Sequence, residues 1–161
     1  MMTEPPGGAT VELAVLARLT CADALPMMCW RRAFPGTPEQ GSQVRGFVRL
    51  LLSGHPLLDD IVVVTAELFA NAVRHSRSAL PDGVVKVEIR RWRRGVAVAV
   101  IDQGGPGEPA LRSADDDADR LDRLDGLCED GRGLAMVEAY AAWWKWRGDA
   151  RGRTVTAFFW E

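Results

Sequence analysis

The chain is poor in cysteine, carries no surplus of positive charge and holds no long hydrophobic run, and each absence excludes something. Its cysteines, Cys21, Cys29 and Cys128, are three in 161 residues. An odd number without the paired spacing of a zinc site or a disulfide framework predicts reduced thiols in a cytosol. A net charge of −2 gives no general field to draw the protein onto nucleic acid or an anionic membrane. The one basic cluster, Arg90-Arg91-Trp92-Arg93-Arg94, falls at a predicted hairpin turn and is expected to be a solvated tip. Val11-Glu12-Leu13-Ala14-Val15-Leu16-Ala17 contains an acid and is too short to span a bilayer. Internal repeats are absent too. A chain of 161 residues fits one domain that buries roughly two thirds of its unfolded surface.

What is present divides readily into elements. Residues 1 to about 25 open with Pro5-Pro6-Gly7-Gly8 and are expected to be an appendage to a domain over 26–161. Cys29 to Phe34 alternates like a half-buried strand, and Pro35-Gly36-Thr37-Pro38 stops it. A helix is expected next, with Pro38 near its first turn, one face formed by Val44, Phe47, Val48 and Leu51, and an end at Ser53-Gly54. Leu57 to Ser76 is the clearest helix: around Leu68, at about 100° per residue, Ile61, Val64, Thr65 and Ala72 form one stripe. Along an edge of that stripe fall His75, Asn71, Glu67 and Arg74. Val84 to Trp92 and the near-continuous apolar run Val96 to Asp102 predict a hairpin whose second strand is central. Leu134 to Ala142 reads as a short helix, Trp143 to Trp146 as a strand and Thr154 to Trp160 as a closing strand. The stretch over about 103–130, with glycines and prolines early and then a run of acids, is too long for a plain connection and is expected to be a functional lid or a disordered segment.

Three stretches carry chemistry. Glu67 and Asn71, four residues apart, project side by side. An amide oxygen suits Mg²⁺, which takes few protein ligands when phosphates supply the rest. A neighbouring carboxylate then lies within reach of a hydroxyl aimed at the terminal phosphate. Asp102 ends a buried strand, where an ionised carboxylate needs donors such as an adenine amino group, and Gly104 and Gly107 let the backbone approach a flat ring. Gly131-Arg132-Gly133-Leu134 opens a helix, whose free N–H groups favour phosphate, with Arg132 able to add a charge-assisted bond. Singly, each has an ordinary structural use: a helix side chain bonded to backbone, a turn, a linker.

In this order, and followed by Gly152-Arg153-Thr154-Val155, the three stretches resemble the N, G1 and G2 boxes of the GHKL (Bergerat-fold) ATPases. The likeness is nearest to the small RsbW-like anti-sigma-factor serine kinases and runs from about Trp30 onward. It implies an α+β two-layer sandwich, a mixed, largely antiparallel sheet with helices on one face. It implies ATP and Mg²⁺ as cofactors, with Asn71 the metal ligand, Glu67 the catalytic base and Asp102 the adenine reader. It further implies Gly104, Gly131 and Gly133 as box glycines and Thr154 as a support for adenine recognition. Implied partners are a sigma factor, an anti-anti-sigma antagonist of the STAS type and a second copy of the chain, in the cytoplasm, without direct nucleic-acid or membrane contact. Arg74 and His75 receive no catalytic role. The sequence departs from the pattern at Pro106, where many relatives have a second glycine, and in the acidic lid with Asp115, Asp116, Asp117 and Asp119. Three functions are compatible: a protein serine kinase, a nucleotide-sensing module that captures a partner without phosphotransfer, and half of a split histidine kinase. The last lacks a dimerising helical hairpin with a phosphoacceptor histidine.

Overall fold

The computed structural model describes residues 28–106 and 132–161. The expected appendage and nearly all of the expected lid lie outside these residues, as do Gly107 and Gly131. Five strands form one sheet: β1 (Met28–Pro35), β2 (Val84–Trp92), β3 (Gly95–Asp102), β4 (Trp143–Asp149) and β5 (Gly152–Trp160). Their spatial order is β1-β2-β3-β5-β4, and every pairing among the described strands is antiparallel. Among the described residues three α-helices lie on one face: α1 (Gly41–Leu51), α2 (Leu58–His75) and α3 (Arg132–Tyr140).

Periodicity explains which side each element buries. In α2 the stripe Ile61, Val64, Thr65, Leu68 and Ala72 is buried as expected, with Thr65 donating from Oγ1 to the Ile61 carbonyl at 2.6 Å. Val44 and Val48 of α1 are fully buried, with Phe47 and Leu51 packed beside them. Below the helices, Val85, Val87 and Ile89 of β2, Val96, Val98 and Val100 of β3, and Val155, Ala157 and Phe159 of β5 form the sheet side of the core. In β3 the intervening Ala97 and Ala99 are buried as well, which is why that strand reads as an unbroken apolar run. Phe69 of α2 meets Phe34 of β1 edge-on, with centroids 6.2 Å apart.

The face away from the helices carries alternate residues of the same strands. There Trp143 stacks on Phe158 at 4.8 Å beneath the Lys145 ammonium. Trp144 packs against the core, and Trp143 and Trp160 lie on this second face. On that face Glu88 is buried between Arg31 and Arg90; their hydrogen bonds overcome burial and hold its carboxyl below the usual range.

Between α1 and α2 the chain turns at Gly54, with φ +78°, and buries His55. Its Nδ1 accepts from Leu57 N at 3.1 Å and its Nε2 faces the Glu161 carboxylate at 2.9 Å, an arrangement that the neutral Nε2–H ring satisfies completely. Burial lowers the His55 pKa from 6.5, Glu161 opposes this and Arg91 adds to it. The unfolded chain therefore binds the proton more readily, so stability is retained above pH 6.5 and declines as pH falls through the lower, folded-state value. Chemical denaturation between pH 5 and 8 should show that decline, and His55→Gln should flatten it. Separately, Phe69→Ala should cost about 3–5 kcal/mol of unfolding free energy, read from the same denaturation curves, because a buried aromatic leaves a cavity.

Candidate functional site

The end of β3, the end of α2 and the start of β5 converge. Asp102, 8% exposed, terminates β3, and its Oδ1 accepts from the Gly104 N–H at 2.6 Å. That turn requires glycine: Gly104 has φ +72°, and a Cβ there would lie 2.3 Å from the Ala150 carbonyl oxygen. Gly105 is equally confined, since a Cβ would sit 2.5 Å from the His75 carbonyl oxygen. Backbone thus meets backbone where α2 ends and β3 runs out.

A second set of bonds sews the loop after α2 to this turn. Ser76 donates from Oγ to the Ala72 carbonyl at 2.6 Å and accepts from Ser78 N at 3.1 Å. Ser78 in turn accepts from Gln103 N at 3.0 Å, and Arg77 N donates to Gly104 O at 2.7 Å. The Arg77 guanidinium spans to the carbonyls of Gln103 and Ala150.

Across the sheet from Asp102 stands Arg153. It is 4% exposed, its Nε lies 3.4 Å from Asp102 Oδ1, and its Nη2 donates to the His75 carbonyl at 2.6 Å. One guanidinium therefore joins β5 to the last carboxylate of β3 and to the last carbonyl of α2. The resemblance points to the neighbouring Thr154 instead. Counting back by twos from Phe159, Ala157 and Val155, all on the core side, reaches Arg153 and leaves Thr154 on the opposite face, paired with Ile101. Asp102 and Thr154 are not brought to one face.

The remaining expected residues are placed as follows. Asn71 and Glu67, both half-buried, lie one and two turns before the His75 carbonyl that Arg153 grips. His75 contributes that backbone oxygen to the site, and its side chain, like that of Arg74, is exposed. Arg132 and Gly133 belong to the first turn of α3, and Leu134 packs against the core beside them. Pro106 is exposed after the buried Gly104 and Gly105.

The residues fit a nucleotide with its metal. Asp102 Oδ2 accepts no hydrogen bond among the described residues, which leaves one oxygen of a buried carboxylate for a ligand donor. Gly104 and Gly105 let the backbone beside it pack directly against the carbonyls of Ala150 and His75. Among the described residues no three of His, Cys, Asp and Glu gather to hold an ion; the Asn71 amide oxygen is a donor of the kind that magnesium accepts beside phosphate oxygens.

Comparison with known proteins gives a family and a fold. The family described as histidine kinase-like ATPase domain matches residues 34–159. The solved RsbU and RsbW domains of Rv1364c from Mycobacterium tuberculosis share the fold, with a TM-score of 0.57 and 23% identity over 83% of this chain and 32% of theirs. The chain thus spans about a third of the length of that protein. The SiaB–SiaC complex from Pseudomonas aeruginosa matches at a TM-score of 0.49 and 14% identity over 94% of this chain and 99% of its own. No curated protein matches.

Because a methyl group at Gly104 would meet both a left-handed backbone and the Ala150 carbonyl, Gly104→Ala should lower the unfolding free energy by about 2 kcal/mol or more. A melting temperature equal to that of the wild type would contradict the turn described here.

Proposed function

The chain belongs to the histidine kinase-like ATPase domain family, and from that membership, which implies ATP binding, we propose that it is an anti-sigma-factor serine kinase. Its substrate would be a serine of an anti-anti-sigma antagonist of the STAS type. Mg-ATP supplies the γ-phosphoryl group. Asp102 receives the adenine amino group on Oδ2, and Asn71 offers its amide oxygen to the metal. Glu67, one turn earlier on α2, takes the proton of the incoming serine hydroxyl. Free N–H groups of the first turn of α3, at Arg132 and Gly133, favour the phosphates.

The observation that carries this reading is the open Oδ2 of a buried, pinned carboxylate at the end of the helix bearing Glu67 and Asn71. The RsbW domain in the Mycobacterium tuberculosis structure has the same fold and supports the anti-sigma assignment. A sigma factor is then the second partner. A second copy would pair through the N-terminal strand region, where β1 is an edge strand. No described helix is long and apolar enough to cross a membrane, and we place the reaction in the cytoplasm.

The test is transfer of label from γ-labelled Mg-ATP to the STAS proteins of the same genome. Glu67→Ala should slow transfer by roughly 10²–10⁴-fold with ATP affinity retained, and Asn71→Ala should weaken binding only when magnesium is present. ATP binding without transfer to any STAS protein would overturn the kinase assignment in favour of a nucleotide-sensing module.

A further inference from the structure

The proposed reaction needs one oxygen of Asp102 held toward the purine, and a carboxylate alone does not hold that direction. The terminal torsion of aspartate is broad and two-fold, and the Gly104 N–H at 2.6 Å can bond either oxygen. Arg153 removes the freedom. It approaches Oδ1 from the neighbouring strand, at 3.4 Å, while the Gly104 amide approaches from the turn. With Oδ1 placed between two donors, Oδ2 has one direction left. The same guanidinium is anchored by Nη2 on the His75 carbonyl at 2.6 Å, so the base-reading oxygen keeps a constant spacing from the helix that carries Asn71 and Glu67. A shorter polar residue would reach one of these partners and lose the other.

We infer that Arg153 is a positioning residue for the nucleobase: it fixes the plane of the Asp102 carboxylate, and with it the direction in which the unbonded oxygen meets the 6-amino group, and so determines purine selectivity. The inference rests on the nucleotide-binding reading above and is separable from it. The probes are ATP and purine riboside triphosphate, which lacks only the 6-amino group, titrated calorimetrically into the full chain.

Wild type should favour ATP by about tenfold to a hundredfold, because the amine-free ligand leaves a buried charged acceptor without its donor. In Arg153→Met, ATP should weaken by at least about tenfold and purine riboside triphosphate far less, bringing the ratio to within about threefold. Arg153→Lys keeps the charge but cannot span both Asp102 and His75, and should give an intermediate ratio. A structural role alone would weaken both ligands equally. That result, or a wild-type ratio in either folded variant, overturns the inference. The wild-type chain supplies an independent reading. The ¹⁵Nε resonance of Arg153 should shift on adding ATP and not on adding tripolyphosphate, and the absence of an ATP-induced shift also overturns it. A wild type that binds neither nucleotide instead removes the nucleotide-binding function itself, and one that binds both equally shows that Asp102 does not read the amine.

Discussion

The contact on which the rest of this architecture leans is the buried pairing of Arg153 with Asp102. Taking two ions out of water costs several kcal/mol for each, and mutual attraction offsets that only when the remaining donors and acceptors find partners. Here the backbone meets part of that need, with the Gly104 amide on the carboxylate and the His75 carbonyl on the guanidinium, while Asp102 Oδ2 takes no bond from the described residues. The left-handed turn at Gly104 and the tight approach of Gly105 to His75 follow from this requirement, since both bring the main chain close enough to serve the charges. Strand end, helix end and strand start meet at one point, and each contributes a group to the buried ion pair.

Much of the fold was legible because it depends on local period. The five-residue stripe of α2, the buried face of α1 and the unbroken apolar run of β3 all follow from spacing along a single segment, and each is buried as the spacing requires. Strand order was not legible. Nothing within Gly152 to Trp160 states that this strand inserts between β3 and β4, because that is decided by pairing across more than fifty residues. Element ends also moved: β4 extends to Asp149 and β5 begins at Gly152, since a hairpin continues while its pairs find partners.

The site was legible in the same partial way. Glu67, Asn71, Asp102 and Gly104 were singled out by residue chemistry and order; α2 carries the first two, and the end of β3 with its turn carries the others. Arg153 escaped notice although the apolar alternation of β5 contained its signal. An arginine on a core-facing position looks like an exception to the pattern until its partner on the neighbouring strand is known. The other face of the sheet repeats the solution with different geometry. Glu88 is buried between two arginines that reach it from its own strand and from β1, with the Arg31 side chain 59% exposed. One carboxylate is closed off by its cations, and the other keeps an oxygen open.

The strand order also makes the site depend on pairing at long range. β4 precedes β5 in the chain but pairs in the sheet only with it, so the later strand is what carries the earlier one onto β3. Asp102 meets its guanidinium, and the last carbonyl of α2 its donor, only where Gly152 to Trp160 lies along β3. A chain cut short before that strand lacks both.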